Sequence, residues 1–321
     1  MINLDDLAAL RAADSTRLLD ALDALPAHLE AAWAAAQLWP LPEAVRPTAV
    51  LLAAAGTGAL AADLAVELAQ AACPAPLSVW RAADPPAWVG AGTLVLALRP
   101  TGEEDEPRLV AQAALARGAL VLALDRPLAV PDAAAVGPLT VWLLGLLARL
   151  GLAALGEADV RAAAEAVRAQ QARLRAESPV NANPAKRMAG QLLDRLPLLF
   201  AAAPLTAVAR CWAAQINRLA RAPALALATP DVAYVALAGS EQPEALVRRC
   251  MVLALRSTHS APRADWLTAE CRRAYMTAGF NTDEVAGAGP SPLAHALTAM
   301  HYGDYAAFYL AACYGVDPGG L

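Results

Sequence analysis

Charge and aromatic bulk are both scarce in this chain. Charged residues fill 17% of its 321 positions and aromatic residues 5%, against 58% hydrophobic residues. Much of the apolar share is alanine, which favours helices and adds little volume to a core. Lysine is scarcer still: most basic residues are arginines, interleaved with acids as on a solvated helix face. With a formal net charge of -5, no lysine-rich face exists to neutralise phosphates, which excludes a general nucleic-acid partner.

Paired cysteines are missing too. Cys73, Cys211, Cys250, Cys271 and Cys313 stand far apart without a CxxC, and His28, His259, His295 and His301 show no metal-ligand spacing. The expectation is free buried thiols in a reducing compartment, with no metal and no cofactor. The start, Met-Ile-Asn-Leu-Asp-Asp, lacks the basic end and apolar core of a signal peptide. The apolar run from Leu139 to Ala148 is too short for a bilayer, which takes ~20 residues, and Arg149 ends it. A soluble, cytoplasmic protein without membrane contact is expected.

What the chain does have is alternation. Leu4 to Leu38 is helical in spacing, with a break at Asp14-Ser15 and a second helix opened by Pro26. A short apolar run from Pro47 then meets Gly56-Thr57-Gly58, and Ala59 to Ala72 reads as a helix. Strand, glycine turn and helix open a β-α-β unit, and the turn offers either an anion site at a helix N-terminus or simply a tight bend. Apolar runs at Leu77 to Arg81, Thr93 to Leu98 and Ala119 to Leu124 follow, with a helical stretch from Glu103 to Arg117 between the last two. Continuous apolar strands alternating with helices imply a parallel sheet covered on both faces. A ligand then belongs beyond the C-terminal strand ends, near Gly56 to Gly58 and Arg99 to Glu104.

The second half repeats this pattern more weakly. A charged helix from Glu157 to Glu177, a linker from Ser178 to Pro184 and a helix from Ala185 to Leu196 come first. Candidate strands follow at Leu198 to Ala202 and Met251 to Leu255, with helices at Trp212 onward (stopped by Pro223), Ala264 to Thr277 and Pro292 to Tyr314. The fold class is α/β in two domains, 1–155 and 156–321, each a parallel sheet flanked by helices. The halves do not align by eye as a repeat.

Four segments together resemble a known family. His301-Tyr-Gly-Asp-Tyr-Ala-Ala-Phe-Tyr-Leu-Ala with Tyr314-Gly-Val-Asp-Pro is similar to the C-terminal signature of bifunctional phosphoglucose/phosphomannose isomerases. Asn183-Pro-Ala-Lys-Arg-Met-Ala resembles their linker after the first sugar-isomerase (SIS) domain, Trp212 to Ala224 their active-site helix, and Pro47 to Asp63 their first strand and glycine loop. The likeness runs from about Asp5 to Pro318. It implies two SIS domains, a homodimer, and proton transfer between C1 and C2 of a sugar phosphate through an enediol. That chemistry needs a carboxylate base, an acid for ring opening and donors for the oxyanion.

The helix pattern Trp-Lys-x-Gln-x-Asn-Glu-Asn-x-Lys-x-Pro-Ala is met at Trp212, Gln215, Asn217, Pro223 and Ala224, but the catalytic glutamate falls on Arg218. A guanidinium stays protonated and cannot accept the carbon-bound proton. The ring-opening histidine falls on Tyr234, a poor proton shuttle with an ordinary pKa of ~10. The phosphate loop Ser-Tyr-Ser-Gly-Asn-Thr-Glu falls on Arg99-Pro-Thr-Gly-Glu-Glu-Asp, keeping one hydroxyl at Thr101, and the glycine-loop serine falls on Gly58. Glu103 to Glu106 form an acidic run, favourable at a helix N-terminus and repulsive to a phosphate dianion.

Three readings follow. The first is a catalytically silent relative that binds a carbohydrate derivative, a sugar phosphate or another small anion through Gly56, Thr57, Gly58, Arg99, Thr101 and Arg218. The second is an aldose–ketose isomerase with substituted residues, drawing on Tyr234, His301 and Asp304, although the last two fit helix packing and capping better. The third is a structural or regulatory partner without a ligand. The apolar last helix, with Phe308, Tyr309 and Leu310, suits either a homodimer face or the core of its own domain.

Overall fold

The computed structural model of the chain describes residues 3–42 and 46–319. Met1 and Ile2 of the N-terminal run, and Gly320 and Leu321 of the C-terminal tail, lie outside them. In chain order α1 (Leu7–Ala12), α2 (Leu18–Asp23) and α3 (Leu25–Leu38) precede β1 (Ala49–Ala54), α4 (Gly56–Ala69), β2 (Leu77–Trp80), β3 (Thr93–Arg99), α5 (Asp105–Ala116), β4 (Leu120–Asp125), α6 (Val136–Arg149) and α7 (Glu157–Leu174). There follow α8 (Pro184–Leu192), β5 (Leu196–Ala201), α9 (Thr206–Leu219), β6 (Leu225–Ala228), α10 (Asp231–Tyr234), α11 (Glu244–Val247), β7 (Cys250–Arg256), α12 (Pro262–Thr277), β8 (Asn281–Ala286) and α13 (Pro292–Tyr314).

Two compact units result, Ala27–Arg161 on one side and Met1–Pro26 with Ala162–Leu321 on the other. Each holds a four-stranded parallel sheet, ordered β2-β1-β3-β4 in the first and β6-β5-β7-β8 in the second. The sequence partition at 155/156 leaves α1 and α2 in the first domain, whereas they group with the second sheet. Specific bonds tie them there: His301 Nε2 donates to the Leu22 carbonyl at 3.0 Å, and Lys186 Nζ meets Asp5 Oδ1 at 3.1 Å. The break foreseen at Asp14-Ser15 is real, and its cause is the Asp14 carboxylate, which accepts from the amides of Leu18 and Leu19 at 2.8 Å each. A further start at Leu25 makes three leading helices of the expected two.

In the Ala27–Arg161 unit the period of two along a strand assigns one face of the sheet to α5. Leu51 and Ala53 of β1 and Val95 of β3 are buried with Val110 and Ala114 of α5. On α6 every residue from Val136 to Leu147 is buried, so the run from Leu139 onward is a core helix packed on α4. Its leucines contribute about 1.5–3 kcal/mol each through full burial. Alanine and glycine let helices approach closely here: a Cβ on Gly145 would lie 2.7 Å from Ala36 Cβ. Among the described residues no helix is long and apolar enough to cross a membrane.

The second sheet has two strands that the sequence reading leaves out, and both are edges. Leu-Ala-Leu-Ala at β6 is short, and Asn-Thr-Asp-Glu-Val-Ala at β8 is polar because an edge strand needs no continuous apolar run. Parallel pairing with the buried strands β5 and β7 defines them. On one face Phe200, Val252 and Ala254 pack with Cys271, Tyr275 and Phe280.

The last helix, α13, starts where Ser291 accepts the Ala294 amide at 3.2 Å and stops at Gly315 with φ +69. It packs on α8 and α9. Phe308, Tyr309 and Leu310 are buried inside this unit, so the apolar character of α13 is that of a core helix. His301 and Asp304 sit in mid-helix and are buried; they pack, as expected, but neither caps an end. Gly303 admits Trp212: a Cβ there would overlap Trp212 Nε1, which donates to the Ala299 carbonyl at 2.8 Å.

The two units also share a run that the eye passes over. Val95 to Arg99 and Val252 to Arg256 both read Val-Leu-Ala-Leu-Arg, and each run ends the third strand of its sheet. Each terminal arginine reaches an acid on the fourth strand, Arg99 to Asp125 at 3.2 Å and Arg256 to Glu284 at 3.6 Å. All five cysteines are free, and four of them are buried.

Candidate functional site

The expected ligand residues of the first unit gather at the C-terminal ends of β1 and β3. Gly56 opens α4 with φ +51, a left-handed conformation that suits glycine. Thr57 is buried and donates its hydroxyl to Asp132 Oδ2 at 3.0 Å. Gly58 lies against the loop after β3, where a Cβ would be 3.1 Å from the Pro100 ring. A serine at this position would press on that proline.

The loop after β3 binds itself. Arg99 donates from Nε to the Glu104 carbonyl at 2.9 Å, from Nη1 to Asp125, and from Nη2 to the Gly102 carbonyl. Arg126 Nε donates to the Thr101 carbonyl at 2.7 Å. The Glu104 carboxylate accepts from the Thr101 amide at 3.2 Å and the Gly102 amide at 3.1 Å. Thr101 Oγ1 accepts from the Glu103 amide at 3.1 Å. The amides that an anion would use therefore already hold a carboxylate of the same loop. The rest of the acidic run divides its work: Asp105 and Glu106 lie in the first turn of α5, favoured there by the helix dipole, and Asp105 also accepts from Arg108.

In the second unit α9 carries Trp212, Gln215 and Arg218 at spacings that place them along one face. Asn217 Oδ1 accepts from the Ala224 amide at 2.8 Å, fixing the turn into β6. Gln215 Nε2 donates to Asp304 Oδ1 at 2.8 Å. Burial pushes the Asp304 carboxyl up to about 7, while the Gln215 hydrogen bond and the Arg218 charge pull it down. Arg218, at the glutamate position of the resemblance, thus acts on a buried acid of α13. His301 is fully buried; desolvation lowers it to about 4, its Nε2–H is given to Leu22, and its Nδ1 has no hydrogen-bond partner. Tyr234 ends α10 with 71% of its surface exposed.

A further group was not foreseen. Ser257 follows β7 directly, and its Oγ lies 3.1 Å from His295 Nδ1 and 3.1 Å from the His259 amide. His295 Nε2 lies 3.1 Å from the Gly289 carbonyl, and the His259 and His295 rings meet edge to face at 4.7 Å. A serine and a histidine 38 positions apart leave no local signal in the sequence. Among the described residues no group of His, Cys, Asp and Glu is arranged to hold a metal ion.

Comparison with known proteins agrees with this architecture. Residues 181–320 match the family described as the bacterial phospho-glucose isomerase C-terminal SIS domain. Over 292 residues the chain is 26% identical to a bifunctional phosphoglucose/phosphomannose isomerase of Caldicellulosiruptor bescii, covering 84% of this chain and 85% of that protein. A glucose-6-phosphate isomerase like protein from Thermus thermophilus shares the fold with TM-score 0.68 and 23% identity, over 100% of this chain and 99% of the other. So does tagatose-6-phosphate ketose/aldose isomerase from Escherichia coli, with TM-score 0.70 and 14% identity over 94% and 95% of the two chains.

Proposed function

We propose, for a chain that carries a bacterial phospho-glucose isomerase C-terminal SIS domain and resembles the bifunctional phosphoglucose/phosphomannose isomerases along most of its length, that it binds a carbohydrate derivative or other small anion without isomerising it. The observation that carries this reading is Arg218. An enediol mechanism needs a carboxylate beside the carbon acid, and a guanidinium there accepts no proton. Asp304, the acid that feels Arg218, is buried and already accepts a hydrogen bond from Gln215. At the ring-opening position of the resemblance stands Tyr234, a phenol in place of an imidazole, and it is exposed.

The ligand set of this reading in the first unit is the glycine turn Gly56 to Gly58 with Arg99 and Thr101; Arg218 is the candidate contact of the second unit. Glu104 limits what it takes: a phosphate dianion reaches the Thr101 and Gly102 amides only by displacing that carboxylate. A weakly charged carbohydrate derivative is therefore favoured over a sugar phosphate. The assembly in this reading is a homodimer, and a monomer by sedimentation at micromolar concentration counts against it.

A coupled isomerase assay on the purified chain, beside thermal shift with sugars and sugar phosphates, tests the function. Turnover of glucose 6-phosphate or mannose 6-phosphate near background with a ligand-dependent shift is expected. Turnover within about tenfold of a typical enzyme's ~10 per second sinks the reading.

A further inference from the structure

The group around Ser257 has the parts of a nucleophilic site, and no part of the isomerase reading uses it. The Gly289 carbonyl can only accept, so the hydrogen of His295 lies on Nε2 and Nδ1 is left as an acceptor. The Ser257 hydroxyl consequently donates to Nδ1 across 3.1 Å. This is the relation of nucleophile to general base, with the base held in its tautomer by a third group, here a backbone carbonyl. The His259 amide donates to the same Oγ and stabilises negative charge that develops on it. Burial and the neighbouring His259 lower the His295 pKa, which keeps the imidazole neutral and able to accept a proton.

Position supports the chemistry. Ser257 stands at the C-terminal end of β7, a central strand, on the short loop that leads into α12, and ligands of parallel sheets bind at such ends. Its 4% exposure restricts access, and the exposed His259 packs its ring edge to face on His295. Burial of this degree favours a small electrophile.

We propose that Ser257 is a nucleophile with His295 as its general base, acting on small carboxylic esters. Oγ attacks the ester carbonyl carbon as the hydroxyl proton passes to His295 Nδ1. The bond from that carbon to the alcohol oxygen breaks, the alcohol leaves with the proton from His295, and an acyl group remains on Ser257. Water, deprotonated by the same imidazole, then releases the carboxylic acid and restores the serine.

The test is labelling of the full chain with a small alkyl fluorophosphonate, read by peptide mass spectrometry. In this reaction Oγ displaces fluoride from phosphorus and the hydroxyl proton goes to His295. An adduct on Ser257 is expected, formed faster in His259→Ala, where the ring packed on His295 is gone and the backbone amide remains. In His295→Gln the labelling rate falls by roughly 10²-fold or more, the contribution of a general base. Circular dichroism melts establish that each variant is folded. Unlabelled Ser257 in both the wild-type chain and His259→Ala overturns the proposal, as does an unchanged rate in folded His295→Gln. The wild-type and His259→Ala comparison decides the matter even if His295→Gln does not fold.

Discussion

Gln215 and Asp304 are joined across 2.8 Å between α9 and α13, and that bond anchors a buried acid beside the charge of Arg218. Asp304 is raised from 3.8 to about 7, so the folded chain holds its proton more tightly than the unfolded chain does. Its favourable contribution is complete below pH 3.8 and is lost as pH rises towards about 7. Asp304→Asn keeps an acceptor for Gln215 and removes the titration. Melting temperature plotted from pH 4 to 8 is expected to fall less steeply with pH in this variant; parallel curves would contradict the assignment.

Arg218 pulls the Asp304 carboxyl down, so Arg218→Gln lets it rise further. The variant is expected to lose more stability than the wild type between pH 7 and 8, which paired melts at those values measure. Arg218→Glu restores the family carboxylate but is expected to leave isomerase turnover at background, because Tyr234 still occupies the ring-opening position. Turnover appearing in Arg218→Glu alone would show that the fold retains the remaining machinery.

His301 works in the opposite sense one turn earlier on the same helix. Its pKa falls from 6.5 to about 4, so the stability tied to its neutral form is present above pH 6.5 and lost as pH drops through about 4. In a histidine-resolved NMR titration its signals are expected to stay constant from pH 8 to about 5. A midpoint near 6.5 would refute its burial as a neutral donor to Leu22.

Glu104→Gln takes the negative charge off the loop after β3. Inorganic phosphate and glucose 6-phosphate are then expected to raise the melting temperature more than they raise that of the wild type. Equal shifts in the two proteins would mean that the Thr101 and Gly102 amides are not an anion site, occupied or otherwise.

Gly303→Ala places a methyl group against Trp212, at a point where a Cβ overlaps Nε1 of the indole. Overpacking of this kind costs about 1–3 kcal/mol. For a chain of this size the melting temperature is expected to fall by several degrees, at roughly 2–4 °C per kcal/mol. An unchanged melt would mean that α9 and α13 separate freely.

Much of this architecture is legible in the residues. The apolar strands of the first sheet, the turn at Gly56 and both ends of α13 are written in local patterns: continuous Leu-Val-Leu runs, paired glycines, Ser291 before Pro292, and Gly315 after Tyr314. The edge strands β6 and β8 are not, because their pairing partners, and not their own composition, define them. The self-binding of the Arg99 loop depends on backbone amides and carbonyls, which carry no sequence signature. Ser257 and His295 meet only because β7 and α13 are folded together. The family positions Arg218 and Tyr234 are visible by resemblance alone, and it takes the folded chain to find Arg218 acting on Asp304 and Tyr234 in solvent.

The matching Val-Leu-Ala-Leu-Arg strands have a consequence for how such a chain changes over time. A protein that carries the same strand end twice owns a spare. One copy now runs into a loop sealed by its own glutamate, and the other into a loop with a serine set on a histidine. Because the arginine-to-acid tie is built separately into each sheet, either loop can be rewritten while the strand beneath it keeps its anchor. The second strand end stays equally well supported whatever becomes of the loop above the first.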